Sequence, residues 1–128
     1  MPAVISCVTV PVDDLPKSLS FYRAIGLEPV ENDEEHVGFD LDGVYFVLLD
    51  RSEFGTYVER VGHRPAARGA AETIISYFAE SKAEVDQIIA KAQAAGATVS
   101  AARDEDYGYS GYFTDADGHT WEVLFGTD

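Results

Sequence analysis

The sequence has one cysteine, few basic residues and no long apolar run, and each shortage excludes a class of protein. Cys7 is the only cysteine among 128 residues, so one chain forms neither an internal disulfide nor a multi-thiolate metal site. The 9 Lys plus Arg face 23 Asp plus Glu, and the net charge of −14 excludes nucleic acid and anionic membrane surfaces as partners. No stretch approaches the roughly 20 apolar residues of a membrane span.

The remaining composition is that of an ordinary folded domain. Hydrophobic residues make up 46% of the chain and charged residues 25%, which argues against disorder and coiled coils. The first residues lack the charged and apolar segments of a secretory leader, so we expect a cytoplasmic protein. The excess of acidic residues favours neutral or cationic small ligands.

The predicted elements of the first half follow the order βαβββ. Residues 3–12 are β-branched and partly alternating, which predicts a strand. Asp13 or Asp14 then caps a helix over 15–25, and Gly26 ends it. Three short strands follow, over residues 27–30, 37–41 and 44–49.

The second half repeats this order. Residues 73–79 predict a buried strand, and Ser81 with Glu84 has the spacing of a capping box that begins a helix over 82–95. Three strands again follow, over residues 97–100, 108–114 and 119–125.

Two pairs of landmarks indicate a duplication. Gly96 ends the second helix as Gly26 ends the first, and both halves carry an Asp-x-Asp-Gly turn, at 40–43 and 115–118. Because each module leaves one sheet face uncovered, we expect two modules to face each other across a cleft. The prediction is a single domain with modules over about 1–50 and 72–128 and a linker over 51–71.

Two segments carry a resemblance to a known family. Residues 8–15 (VTVPVDDL) and 18–22 (SLSFY) are similar to the start of the vicinal oxygen chelate superfamily, which groups glyoxalase I, bleomycin-resistance proteins and extradiol dioxygenases. Residues 109–123 (YSGYFTDADGHTWEV) resemble its last hairpin. The resemblance implies an α+β fold in which two βαβββ modules form an open eight-stranded, barrel-like sheet around a cleft, commonly in a homodimer.

The same resemblance implies where a metal would be held. Metal-dependent members place ligands, usually His and Glu, on the first and last strand of each module. The corresponding positions in this chain are Cys7, Val47, Ile74 and Glu122. Val and Ile have no donor atoms, and the one thiol and one carboxylate that remain are too few ligands for a catalytic metal centre. We therefore expect no metal, no other cofactor and no catalytic residue.

Strand alternation assigns the residues of the cleft once Glu122 is placed inward. Trp121 then packs toward the helices, and the tyrosines of the linker and the last hairpin are candidates for the rim, because each offers a stacking face and a hydroxyl. Cys7 taken alone is expected to be a small buried hydrophobe. The predicted ligand contacts are Cys7, Thr9, Phe39, Tyr45, Val47, Tyr57, Ile74, Ser76, Tyr107, Tyr109, Tyr112 and Glu122.

Glu122 is the strongest candidate for a functional residue, because burying a carboxylate on an apolar face costs free energy unless the carboxylate has a partner. Three alternatives are open: Glu122 pairs with a bound cation, it pairs with an arginine of the linker, or it is itself a neutral acid held by hydrogen bonds. The linker arginines are either surface charges in salt bridges or groups that gate the cleft and neutralise Glu122. They are Arg51, Arg60, Arg64 and Arg68.

Three classes of function are open. The first is a metal-free binding protein similar to bleomycin-resistance proteins, which sequesters an aromatic or cationic natural product. The second is a glyoxalase-like lyase or isomerase, or a dioxygenase-like enzyme, with a non-standard metal or with Glu122 as general base. The third is a structural module without a ligand. The missing metal ligands, the tyrosines and the acidity favour the first class, with the ligand between Tyr45 and residues 107–112. The sheet edges exposed at both module ends predict a homodimer.

Overall fold

The protein consists of two compact units with the same order of elements. A computed structural model describes residues 3–126 and divides them into one unit up to residue 67 and a second from residue 68 onward. Each unit has a strand, a helix and three further strands that form a four-stranded mixed sheet. The predicted α+β class and the two βαβββ modules are confirmed, and neither sheet closes into a barrel by itself.

The first unit has a four-stranded sheet with one long helix packed on it. Its elements are β1 (Cys7–Val12), α1 (Leu15–Ala24), β2 (Glu31–Asn32), β3 (His36–Leu41), β4 (Val44–Asp50) and α2 (Arg51–Val58), followed by a 3₁₀ turn (Glu59–Val61). The sheet order is β1-β4-β3-β2, with β1 parallel to β4 and the other neighbours antiparallel, and α1 packs against β3 and β4. Asp14 caps α1 by accepting a 3.1 Å hydrogen bond from the backbone N of Lys17, and Pro16 lies in the first turn, as the sequence predicts.

An aromatic cluster forms the core of the first unit. Tyr22 of α1 contacts Phe46 edge-on, with ring centroids 5.4 Å apart, and Phe39 stacks beside Phe46 at 6.0 Å. All three rings are almost completely buried. Their burial fixes α1 on one face of the sheet, because aromatic side chains of this size contribute most of the apolar area of a small core.

The second unit repeats the arrangement, with β6 much longer than its counterpart β2. Its elements are β5 (Ile74–Phe78), α3 (Lys82–Ala94), β6 (Thr98–Glu105), β7 (Gly108–Thr114) and β8 (Thr120–Gly126). The sheet order is β5-β8-β7-β6, with β5 parallel to β8, and α3 packs against β6, β7 and β8. The core contains the buried side chains of Val85, Phe113, Trp121 and Val123. Gly111 lies against α3 so closely that a Cβ there would be 2.9 Å from Cγ1 of Ile89.

Two strands and the linker differ from their sequence predictions. The strand expected over 27–30 is found at 31–32, because the backbone N of Leu27 donates to the carbonyl of Tyr22 and so completes the end of α1. β6 continues past residue 100 through an irregularity in its pairing with β7, between Ser100 and Arg103. The segment 51–71 contains α2, whose first turn is capped by the carboxylate of Asp50.

Among residues 3–126, no helix has both the length and the apolar character that crossing a membrane requires.

Candidate functional site

The second sheet presents a row of polar and apolar side chains on the face opposite α3. The helix packs against β6, β7 and β8 from one side, and alternation along each strand sends every second side chain to the other side. Trp121 and Val123 are buried toward α3, so their neighbour Glu122 points away from it. We call this the open face of the second sheet; it carries Ile74, Ser76 and Phe78 of β5, Thr120, Glu122 and Leu124 of β8, and Ser110, Tyr112 and Thr114 of β7.

Three hydroxyl groups surround the carboxylate of Glu122. Oγ of Ser76 donates to Oε1 at 2.9 Å, and Oε2 accepts from Oγ of Ser110 at 3.1 Å and from Oη of Tyr112 at 2.9 Å. The strand register produces this cluster, because Ser76 and Tyr112 are the direct neighbours of Glu122 on β5 and β7. We call Glu122 with Ser76, Ser110 and Tyr112 the hydroxyl cluster.

The hydroxyl of Tyr112 also contacts the hydroxyl of Tyr107, which lies outside the hydroxyl cluster. The two phenol oxygens are 3.5 Å apart, and either hydroxyl can donate in this longer contact. The contact with Tyr107 and the hydrogen bond to the Glu122 carboxylate raise the pKa of the Tyr112 phenol well above its usual value of 10.0. The phenol therefore stays protonated and neutral at physiological pH.

No basic side chain of residues 3–126 forms an ion pair with Glu122; its partners there are the three hydroxyls. Two of the clustered arginines bind other carboxylates of their own units, Arg51 with Asp13 and Arg68 with Asp117. Arg51 and Arg68 are thus in salt bridges, and an arginine partner for Glu122 is excluded within the described residues of the second unit.

The surroundings of the hydroxyl cluster are partly apolar. Ile74 and Phe78 are 60% and 73% exposed, although both are large hydrophobic side chains at the edge of the sheet. Leu124 lies beside Phe78, and Thr120 beside Ile74, in the register of β5 and β8. An exposed apolar surface next to a half-buried hydrogen-bond network is a typical composition for a site that binds an organic molecule.

The residues at the four positions where the family resemblance implies metal ligands, Cys7, Val47, Ile74 and Glu122, do not fit a metal ion. Within residues 3–126 no three His, Cys, Asp or Glu side chains come together in a way that could hold one. Ile74 has no donor atom, and Oε2 of Glu122 already accepts two hydrogen bonds. In the first unit Val47 pairs with Thr9, and neither supplies a strong ligand. The metal chemistry of the family therefore has no support in these side chains.

The predicted contacts in the first unit are divided between two faces. Thr9, Tyr45 and Val47 lie on the side away from α1, as alternation predicts. Cys7 is exposed, with Sγ 3.5 Å from Oγ1 of Thr9; the expectation of a buried thiol is wrong, because Cys7 begins β1 on that uncovered side. Phe39 is fully buried in the aromatic core, so it does not reach a ligand on that side.

Two predicted tyrosines lie elsewhere. Oη of Tyr109 donates to Asp86 of α3 at 2.7 Å, and Nζ of Lys82 lies 5.2 Å from its ring centroid. Tyr109 is therefore on the helix side of the sheet, because it is an odd number of residues from Tyr112. Tyr57 lies on α2 in the first unit, with the guanidinium of Arg60 over its ring at 5.0 Å.

Ser110 is the member of the hydroxyl cluster that the sequence analysis missed. It is buried, and it is two residues from Tyr112, so strand alternation places both on the same face. The prediction treated Tyr109 and Tyr112 as equivalent, but their opposite parity means that only one of them contacts Glu122. Applying alternation to β7 as well as to β8 would have found Ser110.

Comparisons with known proteins agree with the fold. A family model described as the Glyoxalase/Bleomycin resistance protein/Dioxygenase superfamily matches residues 4–123. The chain therefore belongs to this superfamily. A search of curated proteins found no match.

Solved structures with the same fold cover nearly the whole chain. A glyoxalase-related enzyme from Fulvimarina pelagi has 24% identity and a TM-score of 0.86, over 97% of this chain and 88% of that one. A lactoylglutathione lyase from Agrobacterium tumefaciens has 26% identity and a TM-score of 0.75, over 98% and 96%. A fosfomycin resistance protein from Listeria monocytogenes, solved with Mn(II) and sulfate, has 22% identity and a TM-score of 0.74, over 99% and 93%.

Proposed function

We propose that this protein is a metal-free binding protein that sequesters an organic cation with an aromatic ring. The hydroxyl cluster supplies the charge contact, and the exposed apolar side chains of the same face supply the contact with the ring. Binding without chemistry would protect a cell from a toxic natural product, as in the resistance branch of the superfamily. The free thiol of Cys7 agrees with a reducing, cytoplasmic compartment.

The observation that carries the proposal is the half-buried carboxylate of Glu122, which has three hydroxyl donors and no basic side chain of residues 3–126 paired with it. A carboxylate that is removed from water gains most from a cationic partner. The hydroxyls hold the carboxylate in one orientation before the ligand arrives, so little side-chain entropy is lost on binding.

The apolar part of the open face suits an aromatic ring. Phe78, Ile74 and Leu124 provide apolar area beside Glu122, and Tyr107 is about half exposed at the other end of the hydrogen-bond chain. Stacking on one of these aromatic rings contributes about 0.5–1.5 kcal/mol beyond area burial. A charge-assisted hydrogen bond to Glu122 contributes about 1.5–3 kcal/mol.

A thermal-shift screen followed by calorimetry tests the proposal. The panel contains aromatic amines and amidines together with neutral and anionic molecules of the same ring size. We expect stabilisation by the cations only, unchanged by a chelator and lost in Glu122→Gln. Glu72→Gln, which removes an exposed carboxylate in the same unit, is the matched control for net charge and retains binding. Stabilisation by anions or aliphatic molecules alone would contradict the proposal.

The second candidate is an enzyme similar to the lactoylglutathione lyase from Agrobacterium tumefaciens, and its basis is 26% identity over 98% of this chain. The site argues against it, because Val47 and Ile74 occupy two of the four ligand positions. Turnover of methylglyoxal with glutathione, measured with added Zn²⁺ or Ni²⁺, distinguishes the two. Turnover that requires the metal and disappears in Glu122→Ala would favour the enzyme.

We also propose that two copies of the chain associate. Each unit has an edge strand, β1 and β5, and the β5 edge carries the exposed side chains of Ile74 and Phe78. Exposed edges with apolar residues are usually covered by a partner. Sedimentation at micromolar concentration should give twice the chain mass of 13.9 kDa, and a species of the chain mass alone would contradict the proposal.

A further inference from the structure

The two oxygens of the Glu122 carboxylate do not have the same number of hydrogen bonds. Oε2 accepts from Ser110 and from Tyr112, at 3.1 and 2.9 Å, whereas Oε1 accepts from Ser76 alone, at 2.9 Å. A carboxylate oxygen has two lone pairs. Oε2 is therefore saturated by the protein, and Oε1 keeps one lone pair for a ligand.

This difference decides which cations can pair with Glu122. A guanidinium or amidinium group reaches its full strength by donating two parallel bonds, one to each carboxylate oxygen. Oε2 has no lone pair left for the second of these bonds. An ammonium group needs only one carboxylate oxygen, because it is a point charge with rotatable donors.

The hydroxyl cluster offers an ammonium group a second acceptor. Ser76 donates its proton to Oε1, so its own oxygen keeps its lone pairs for an incoming donor. Oε1 and Oγ of Ser76 are 2.9 Å apart, and Ser76 is exposed on the edge strand β5. Two N–H groups of one ammonium can therefore be satisfied there, one by each oxygen.

We propose that the hydroxyls of Tyr112 and Ser110 are specificity determinants that make the site select primary ammonium ligands over planar amidinium or guanidinium ligands. This inference rests on the proposed function, since it concerns the cation that Glu122 binds. Tyr112 is the stronger determinant, because its phenol is held in place by Tyr107 as well as by Glu122.

The test compares three ligands with the same ring: 2-naphthylmethylamine, 2-naphthamidine and the neutral 2-naphthylmethanol. Calorimetry on the full chain should give an amine affinity about tenfold higher than that of the amidine, the loss expected when one of two charge-assisted bonds cannot form. Tyr112→Phe keeps the ring and frees one lone pair on Oε2, so the preference should fall to less than about threefold.

Thr114→Val is the matched control. It removes a hydroxyl from β7 on the same face, but that hydroxyl lies 3.2 Å from Oγ1 of Thr120 and does not contact the Glu122 carboxylate. Oε2 stays saturated, so the preference for the amine over the amidine should persist. A preference that falls equally in Thr114→Val and Tyr112→Phe would overturn the inference.

Two further outcomes separate the inference from the proposed function. If amine and amidine bind equally well to the unmodified chain and both lose affinity in Glu122→Gln, the inference is wrong and the proposed function stands. If neither cation binds more tightly than 2-naphthylmethanol, both are wrong.

Discussion

The Tyr112 phenol provides a spectroscopic test of the hydroxyl cluster at the scale of single residues. Its pKa is raised by the contact with Tyr107 and by the hydrogen bond to Glu122. We expect the Tyr112 phenol to ionise above the usual range, and to ionise at lower pH in Glu122→Gln, where the negative charge is absent. Ultraviolet absorbance titration measures this, with Tyr112→Phe to assign the signal. An unchanged titration in Glu122→Gln would contradict the bond.

His36 should make folding stability depend on pH. Its Nε2 lies 3.0 Å from Glu31 and its Nδ1 lies 3.0 Å from Asp33, and the hydrogen bond to Glu31 is the main reason that the pKa of His36 is raised from 6.5. A raised pKa in the folded state stabilises the fold fully below 6.5, and this contribution is lost as the pH rises through the folded value.

The measurement is the free energy of unfolding by urea at about pH 6 and at about pH 8.5. We expect the unmodified chain to lose stability over this interval, and Glu31→Gln and His36→Gln to lose less. An equal loss in all three chains would show that the His36 pair does not contribute.

At the scale of elements, the start of α3 depends on one hydroxyl. Oγ of Ser81 accepts a 3.0 Å hydrogen bond from the backbone N of Glu84. Ser81→Ala leaves that donor without its partner, and the free energy of unfolding should fall by about 1 kcal/mol. Ser20→Ala is the control, because Ser20 is exposed within α1 and alanine is favourable there. Equal effects of the two substitutions would contradict the capping role.

Two glycine substitutions should change stability in opposite directions. Gly111→Ala places a Cβ 2.9 Å from Cγ1 of Ile89 and 3.2 Å from Cβ of Ala102, so overpacking between β7 and α3 should cost about 1–3 kcal/mol. Gly55→Ala lies within α2, where the nearest atom is 3.6 Å away on Pro65, and the helix should gain about 0.5–1 kcal/mol. Urea unfolding checks both signs.

The helices and long strands could be predicted from the sequence because their signals are local. Helices α1 and α3 were predicted correctly. Each begins at a capping residue, Asp14 or Ser81, and ends just before a glycine, Gly26 or Gly96. The strand 31–32 could not be placed, because the pattern predicts a strand over 27–30. The backbone N of Leu27 instead donates to the carbonyl of Tyr22 at the end of α1. Strand periodicity alone does not show where the preceding helix completes its hydrogen bonds.

At the scale of the whole molecule, the site was predictable only in part. Glu122 and Ser76 follow from alternation along β8 and β5, Tyr112 was predicted as a tyrosine of the rim, and all three belong to the hydroxyl cluster. The role of Ser110 and the helix-side position of Tyr109 follow from alternation along β7, which the prediction applied only to the neighbouring strands. The number of donors on each oxygen of Glu122 is a three-dimensional property and has no sequence signal.

The net charge of −14 gives the site its electrostatic background. An acidic surface raises the local concentration of cations, but it does so without specificity and is screened by salt. Binding through Glu122 differs from this general attraction, because a partly buried pair is screened much less. Affinity that persists at raised ionic strength therefore reports the hydroxyl cluster rather than the surface.

The most direct test of the central claim is the affinity of 2-naphthylmethylamine for the unmodified chain, Glu122→Gln and Glu72→Gln at physiological ionic strength. We predict that Glu122→Gln weakens binding at least about tenfold, through loss of a charge-assisted hydrogen bond, and that Glu72→Gln does not. Equal affinities for all three chains would contradict the claim that Glu122 binds a cation.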